Sequence, residues 1–291
     1  MPDSKRKEKP AVSVIGAGRL GTTLAVALAG KDYSIRSIVA RRLASARKAA
    51  GLLDGDVQAL AVKQLDSLRP ADVFLITTPD DQIASVAAQL ARLEVAKRKP
   101  AALHTSGALS AKALAPLRDR GWHTGSIHPL ISVSDVPEDM AVLEGAFWSV
   151  EGDIAALRVG KAIVRDLGGR SFSIRTKDKP LYHAAAVMSA GNVVALFDVA
   201  IEMLAQCGLT QKEAQGILLP LITSTVRNLE TKEPADALTG TFARGDVETV
   251  KLHLASLKNN KVALDLYRLL GKRSLELIKN HPQITQILDS V

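Results

Sequence analysis

The stretch at positions 12–21, with the sequence VSVIGAGRLG, constrains the fold more than any other part of this chain. A short apolar run leads into glycines, and after them the apolar pattern continues at helical period. In such a stretch the first glycine permits a tight turn, the second allows close approach to a pyrophosphate, and the third lets the helix pack near the strand. The free N–H groups of the helix start would then face the phosphates. The stretch therefore predicts a strand, turn and helix that bind a dinucleotide, through Gly16, Gly18, Arg19, Leu20 and Gly21.

Length and composition limit the kinds of protein this chain can be. Its 291 residues, of which 47% are hydrophobic, suit one large or two ordinary domains with sizeable cores. We expect no apolar run of the length needed to cross a bilayer, and no secretion signal in the charged stretch before residue 11. The single cysteine excludes an internal disulfide and fits a reducing compartment. The composition thus predicts a cytoplasmic protein that has no membrane partner.

The positive charge raises the question of nucleic-acid binding. The formal net charge is +8 and the pI about 9.6, but the basic residues are spread through predicted helices and aromatic residues make up only 3% of the chain. Surfaces that stack bases need aromatic side chains, and groove readers need a basic stripe or a recognisable motif. We therefore expect no nucleic-acid partner. We interpret positions 1–10, which include a dense basic run, as a disordered tail.

The end of the second predicted strand, at residues 35–39, indicates which dinucleotide is bound. Enzymes that use NAD usually place an acidic residue there to accept hydrogen bonds from the ribose 2′-hydroxyl, whereas a 2′-phosphate calls for an arginine instead. Here Ala40 is followed by Arg41 and Arg42. Because guanidinium groups match phosphate oxygens bidentately, these arginines favour NADP. The alternative is that they belong to the solvated face of the next helix.

Polar residues follow several of the later buried strands. Thr77 and Thr78 end the strand predicted at residues 71–77, where the chain should pass beside the nicotinamide half of the cofactor. Ser106 follows the strand at residues 101–104, and His128 stands directly before a proline that ends the sixth strand. Because such strand ends meet ligands, Ser106 and His128 are candidates for the site, with His128 as a general acid or base. A structural role in hydrogen bonding remains the alternative for both.

The pattern of elements changes near residue 176. Strands recur up to that point, and everything from residue 180 onward shows helical periodicity. The sequence therefore predicts an α/β fold in which a Rossmann-type parallel sheet domain at residues 11–176 precedes an all-α domain at residues 177–291.

The first helix of the predicted all-α domain carries polar residues among alanines and valines. His183 and Asn192 are nine residues apart, which places them on opposite faces unless the helix bends near positions 189–191. Ser189 and Asn192 share a face at i and i+3. Further along, Arg244 lies in a polar, glycine-containing loop, from which it could bind a carboxylate or phosphate. An exposed turn arginine is an equally good interpretation.

The motifs together resemble a bacterial family of Rossmann-like proteins with a C-terminal helical domain of unknown function, often labelled as NADP oxidoreductases of the deazaflavin-dependent type. The resemblance covers nearly the whole chain after residue 10, and it departs at Thr241, where a proline is expected. More distant similarity is to ketopantoate reductase, pyrroline-5-carboxylate reductase and prephenate dehydrogenase. The motifs are GAGRLG at 16–21, HTSG at 104–107, SIHPL at 126–130, the helix from YHAAA at 182–186 to Asn192, and TGTFARGD at 239–246.

The resemblance implies NADP binding, a homodimer built through the helical domain, and a pocket between the domains. It implies no substrate, because the family lacks an assigned reaction. The β-hydroxyacid dehydrogenases share this two-domain plan and carry a catalytic lysine four residues before an asparagine. The corresponding residue here is Met188, so the usual proton donor is absent.

These observations predict an NADP-dependent oxidoreductase that transfers hydride to or from a small carbonyl, imine or hydroxy acid bound between the domains. The alternative is a sensor or scaffold that binds NADP without turnover, which the absent lysine favours. No metal is predicted. The residues assigned to catalysis are His128, His183, Asn192 and Ser106, and those assigned to substrate binding are Ser189 and Arg244.

Overall fold

A computed structural model describes residues 9–93, 99–133, 138–278 and 281–290. The chain divides into two compact units, Met1–Met188 and Ser189–Val291. Most of the predicted N-terminal tail, at residues 1–8, lies outside the described residues.

The first unit contains an eight-stranded sheet in the order β3-β2-β1-β4-β5-β6-β7-β8. The order reverses between β1 and β4, which creates the crevice where doubly wound sheets bind their ligands. The strands are β1 (Val12–Ile15), β2 (Ile35–Ala40), β3 (Gln58–Ala61), β4 (Val73–Ile76), β5 (Ala101–His104), β6 (His123–Pro129), β7 (Phe147–Gly152) and β8 (Arg170–Phe172).

Helices cover both faces of the sheet, which explains the fully buried runs of β1, β4 and β5. One apolar cluster joins the sheet to α1, α2 and α5, and a second joins the opposite face to α3 and α4. The α/β prediction is confirmed by this arrangement. The helices of the first unit are α1 (Arg19–Ala29), α2 (Leu43–Ala50), α3 (Asp80–Leu90), α4 (Ala115–Asp119), α5 (Ile154–Asp166) and α6 (Lys179–Ser189).

One strand pair departs from the predicted parallel sheet. β7 runs antiparallel to β6, with His128 opposite Ser149 and Ser126 opposite Glu151. Parallel neighbours need a crossover, usually through a helix, whereas antiparallel neighbours do not. No α-helix is found between β6 and β7 in the described part of that connection, so β7 returns beside β6 in the opposite direction.

The division between the units lies after Met188, twelve residues beyond the predicted boundary at 176. The reason is that α6 packs on the sheet, with Lys179 completely buried there. The helix then breaks at Ala190, whose φ of −126° and ψ of −78° are not helical, and α7 begins at Gly191. The spacing argument that placed Ser189 and Asn192 on one face assumed a continuous helix and is wrong for this reason.

The second unit is helical, and its core is formed where α11, α12 and α13 pack through residues such as Val250, Leu275 and Leu288. The start of α8 has a reciprocal cap, in which Glu213 accepts from the Thr210 backbone and the Thr210 hydroxyl accepts from the Glu213 backbone. Its helices are α7 (Gly191–Gln206), α8 (Gln211–Thr231), α9 (Pro234–Ala237), α10 (Thr241–Arg244), α11 (Val247–Leu257), α12 (Lys261–Ile278) and α13 (Pro282–Asp289).

The expectation that no run could span a bilayer needs a correction. The stretch Thr176–Gln206 is long and apolar enough by length and composition alone, with a mean hydropathy of 1.8 and none of its apolar window buried. The sequence interpretation overlooked it because Lys179, Tyr182 and His183 interrupt its start. The break at Ala190 divides the stretch into α6 and α7, so it is not one continuous α-helix.

Candidate functional site

The turn after β1 is fixed by contacts with the end of β4. The Thr77 hydroxyl donates a hydrogen bond to the Gly16 carbonyl at 2.6 Å, and Gly16 has a φ of +123°, which favours glycine. A Cβ on Gly21 would lie 1.9 Å from the same carbonyl oxygen, so only glycine allows α1 to begin this close. A Cβ on Gly18 would meet nothing within 4 Å. Gly16 and Gly21 therefore hold the turn together, whereas Gly18 leaves open space beside it.

A cavity of about 650 Å³ lies beside this turn, at the carboxyl ends of β1, β2 and β4. Arg19 is exposed outside it, Leu20 packs against the core, and Gly21 is buried in the contact between helix and turn. Six of the residues predicted to bind the cofactor line the cavity, namely Gly16, Gly18, Arg41, Arg42, Thr77 and Thr78.

The residues of this cavity fit a dinucleotide. Arg41 and Arg42 are exposed at the end of β2, where Ala40 leaves no carboxylate to repel a phosphate. Thr78 Oγ1 is buried without a hydrogen-bond partner within the described residues, so it is a polar group that a ligand could satisfy. The cavity also has one carboxylate in the described lining, Asp81 in the first turn of α3.

The loop after β5 is held by the side chain of Ser106. Its hydroxyl donates to Asp80 Oδ2 at 2.7 Å and accepts hydrogen bonds from the backbone N–H groups of Ala108 and Leu109. The backbone N–H of Ser106 donates to Nδ1 of the fully buried His104 at 3.2 Å. The Ser106 hydroxyl therefore stabilises its own loop, and its one hydrogen is already donated. Its predicted role in catalysis stays a prediction.

Helix α6 brings three polar side chains to the carboxyl edge of the sheet. Lys179, Tyr182 and His183 are spaced i, i+3 and i+4, so they share the face that packs on the sheet. The Lys179 ammonium donates to Ser126 Oγ at 2.7 Å and to the Ser106 carbonyl at 3.2 Å. Burial lowers the pKa of Lys179. A buried cation is therefore fixed between the ends of β5 and β6.

His128, Tyr182 and His183 form the outer part of the same cluster. The Tyr182 oxygen lies 2.7 Å from His128 Nδ1. The His183 ring meets the His128 ring edge to face, with centroids 5.4 Å apart. A Cβ on Gly107 would lie 2.4 Å from His183 Nδ1 and 2.8 Å from His128 Nε2, so both rings pack directly against this glycine. His183 Nδ1 is buried without a hydrogen-bond partner in the described part of the chain.

His104 and His128 are neutral at physiological pH. Burial, and then the positive charge of Lys179, lower the pKa of His104 to about 4. The pKa of His128 is also lowered to about 4, first by burial and then by His183 and Lys179. Asp80 opposes both shifts without cancelling them. His128 is therefore an uncharged hydrogen-bonding group at neutral pH. Its pKa is lower than that of the general acid that the sequence predicts at this position.

The remaining predicted residues belong to the second unit. Asn192 lies in the first turn of α7, and Ser189 precedes the break at Ala190. Arg244 donates a hydrogen bond to Asp246 Oδ2 at 2.7 Å and is exposed. Their predicted substrate contacts stay predictions. Within the described residues, no three His, Cys, Asp or Glu side chains come together as a metal site.

Sequence reasoning missed Lys179 and Asp80. The search for a lysine four residues before Asn192 found Met188, which is exposed, while the lysine nine residues earlier is buried at the strand ends. The signal that could have identified it is the i, i+3, i+4 spacing with Tyr182 and His183. Asp80 lies in the first turn of α3, and its carboxylate accepts a hydrogen bond from the Ser106 hydroxyl.

Comparisons with known proteins agree with this architecture. Residues 2–129 match a Rossmann-like domain, and residues 146–274 match a domain of unknown function, DUF2520. The chain therefore carries a Rossmann-like N-terminal domain followed by a DUF2520 domain, as the resemblance predicted. No curated protein matches the sequence significantly.

Solved structures share the fold at low sequence identity. A Bacteroides fragilis protein, provisionally named an NADP oxidoreductase, is 24% identical with a TM-score of 0.75, covering 92% of this chain and 99% of that one. The 1-pyrroline-5-carboxylate reductase of Streptococcus pyogenes is 16% identical with a TM-score of 0.61, covering 91% and 98%. A Plasmodium falciparum pyrroline carboxylate reductase with NADP bound is 14% identical with a TM-score of 0.57, covering 93% and 98%.

Proposed function

We propose that this chain, which joins a Rossmann-like domain to a DUF2520 domain, is an NADP-dependent oxidoreductase that acts on a small carbonyl, imine or hydroxy acid. The observation that carries the proposal is the cavity beside the glycine turn, where Arg41 and Arg42 stand at the end of β2 and no acidic residue does. The fold shared with reductases, one of which has NADP bound, supports it.

Different residues of the cavity would bind different parts of the cofactor. The backbone at Gly16 and Gly18 would hold the pyrophosphate, the two arginines would bind the 2′-phosphate, and the Thr78 hydroxyl would gain a partner. When bound, NADPH supplies hydride-transfer chemistry. His128 and His183, at the carboxyl ends of the strands, are the groups we propose to face the substrate. Because His128 is neutral, its part is to hydrogen-bond the reacting oxygen or nitrogen atom.

Cofactor choice is tested by titrating NADPH and NADH against the protein and following nicotinamide fluorescence. We expect the double variant Arg41→Ala, Arg42→Ala to lose about tenfold or more of the preference for NADPH, because each guanidinium contact to phosphate contributes about 1.5 to 3 kcal/mol. The exposed Arg118 in α4 provides a matched control as Arg118→Ala. An unchanged ratio of the two affinities in the double variant would refute the phosphate contact.

Turnover is tested by NADPH oxidation with a panel of keto acids, aldehydes and cyclic imines. We expect His128→Ala to lower the rate about 100-fold or more while the affinity for NADPH is kept, because a hydrogen bond to the reacting atom is lost, and His183→Ala is measured beside it. NADPH binding without turnover of any compound would favour the second candidate, a sensor that binds NADP. The engagement of the Ser106 hydroxyl with Asp80 is the observation that favours this candidate.

We also propose that the helical unit forms a homodimer in a cytoplasmic protein. Large apolar side chains of α7 and α8 are exposed, with Val194 at 70% and Leu221 at 63%. Large apolar side chains that are exposed in such number on two helices favour an interaction site, and a second copy is the commonest partner. We expect sedimentation to give a dimer that Leu221→Asp weakens. The control Leu52→Asp changes an exposed leucine of the first unit and should leave the dimer intact.

A further inference from the structure

The Tyr182 hydroxyl is held in one place relative to His128. The oxygen lies 2.7 Å from His128 Nδ1, and the two rings meet edge to face with centroids 5.6 Å apart. The Phe172 ring also packs on the phenol ring, with centroids 5.9 Å apart. One turn earlier in α6, the buried Lys179 ammonium is bonded to Ser126, which fixes the helix on the sheet. The Phe172 ring and the anchored start of α6 therefore hold the Tyr182 side chain in its contact with His128.

The hydrogen in this contact comes from tyrosine. A neutral imidazole has one N–H and one nitrogen lone pair. That lone pair is a stronger acceptor than a phenol oxygen, and a phenol O–H is a stronger donor than a neutral imidazole N–H. Burial raises the pKa of Tyr182 to about 12, so the phenol keeps its proton at neutral pH. With Tyr182 as the donor to His128 Nδ1, the imidazole hydrogen would lie on Nε2.

The Nε2 atom lies on the side of the ring that faces the loop after β5. A Cβ on Gly107 would be 2.8 Å from it, so the absence of a side chain at this residue gives the ring its place. This loop follows the carboxyl end of β5, at the edge of the sheet where doubly wound folds bind ligands. The tautomer of His128 therefore decides whether this edge presents a hydrogen-bond donor or an acceptor.

We propose that Tyr182 is a positioning residue that holds His128 in the tautomer with hydrogen on Nε2, so that this nitrogen donates a hydrogen bond to the substrate. The inference rests on the proposed function, because it concerns how that site receives a substrate. A donor suits a carbonyl oxygen or an uncharged imine nitrogen. It disfavours a protonated iminium, which is itself a donor.

The charges around His128 agree with this ligand class. Burial lowers the pKa of His128 most, His183 and Lys179 lower it further, and the Asp80 carboxylate raises it without cancelling these effects. A cationic ligand would meet the field of the Lys179 ammonium, and an uncharged or anionic one would not be opposed by it. The titratable and charged groups that bear on His128 are Tyr182, His183, Lys179, Asp80 and His104.

The tautomer can be read from the imidazole nitrogen resonances of the ligand-free full-length protein labelled with ¹⁵N-histidine. The His128 signals are assigned by their loss in His128→Gln. At pH 7.5 we expect Nε2 to carry hydrogen and Nδ1 to behave as a lone-pair nitrogen. In Tyr182→Phe the bias disappears, so the two nitrogen resonances move toward each other as the tautomers exchange.

A matched control is available in the second unit, where the Tyr267 oxygen lies 2.8 Å from His253 Nδ1. Tyr267→Phe should change the His253 signals and leave those of His128 in place. Hydrogen on Nδ1 of His128 in the unaltered protein would overturn the proposal, as would an unchanged His128 pattern in a folded Tyr182→Phe variant. If that variant does not fold, the unaltered protein still decides the tautomer. Failure of the proposed function would show separately, as the absence of NADPH oxidation with every compound of the panel.

Discussion

Two histidine–tyrosine pairs in this protein have almost the same geometry and very different surroundings. In the first unit His128 Nδ1 and the Tyr182 oxygen are 2.7 Å apart, with ring centroids at 5.6 Å and an interplanar angle of 89°. In the second unit His253 and Tyr267 give 2.8 Å, 5.6 Å and 90°. The first pair joins residues 54 positions apart in sequence, and the second joins residues 14 apart.

The difference lies in what surrounds each pair. His128 has a second histidine ring at 5.4 Å and the buried Lys179 ammonium nearby, and its pKa is about 4. His253 is exposed, and its tyrosine packs against Phe242 with centroids 5.4 Å apart. A histidine–tyrosine contact therefore does not identify a site by itself. The second histidine ring, the buried cation and the position at strand ends distinguish the first pair.

The largest expected difference between the pairs is their response to acid. Because the folded-state pKa values of His104 and His128 lie below the ordinary value of 6.5, the unfolded chain binds more protons as the pH falls from about 6.5 toward 4. Stability is therefore retained above pH 6.5 and lost below it. For His128 we expect the free energy of unfolding to fall by about 2 to 3 kcal/mol between pH 7.5 and 4.5.

Urea unfolding at the two pH values measures this effect. Both tryptophans, Trp122 and Trp148, belong to the first unit, so their fluorescence reports that unit. His128→Gln should reduce the loss of stability on acidification, whereas His253→Gln alters the second unit and should leave the tryptophan transition of the first unit unchanged. Equal effects of the two substitutions would remove the distinction between the pairs.

Gly107→Ala should lower the free energy of unfolding of the first unit by about 1 to 3 kcal/mol, the usual cost of overpacking. It should disturb the first histidine–tyrosine pair and not the second. The added methyl group of Gly107→Ala would lie 2.4 Å from His183 Nδ1 and 2.8 Å from His128 Nε2, so both rings must move. We expect a lower urea midpoint by tryptophan fluorescence and altered His128 resonances. The control is Gly216→Ala in α8, where a Cβ meets nothing within 4 Å. An equally stable Gly107→Ala variant with unchanged His128 signals would contradict the packing described for this glycine.

The fold could be predicted because its signals are local. The glycine turn, the apolar runs and the change of period near residue 176 each depend on neighbouring residues, and each produced the expected element. The antiparallel direction of β7 was not predicted, because strand direction depends on how the chain returns across the sheet and no short motif encodes it. The Ser189-Ala190-Gly191 sequence is compatible with a break in the helix near residue 190. Because of this break, the relative placement of Ser189 and Asn192 cannot be deduced from helical spacing and requires the structure.

The site was harder to predict, because its residues meet only after folding. Ser106, Ser126 and Lys179 are brought together across up to 73 positions of sequence. The lysine position of related dehydrogenases corresponds to Met188, and no motif distinguishes Lys179, nine residues earlier on the same helix, as a site residue. Histidines at strand ends could be identified, but their lowered pKa values depend on burial and on that lysine, which no sequence motif specifies.

The smallest effect, and the most specific one, should come from Lys179→Met. Removing the ammonium relieves the cost of burying a charge and also removes its hydrogen bonds to Ser126 and Ser106, so we expect the free energy of unfolding to change by only about 1 kcal/mol. The pKa of His104 should rise, since Lys179 is the second cause of its lowering, yet stay below 6.5 because burial is the first.

Titration of the six histidine Cε1 signals measures this change, with Lys177→Met as the matched control, since Lys177 is exposed two residues earlier. The His253 signal should not move in either variant. If the pKa of His104 is the same in Lys179→Met and Lys177→Met, the buried Lys179 ammonium does not lower the pKa of this histidine beside the first pair. The contrast between the two histidine–tyrosine pairs would then rest on burial alone.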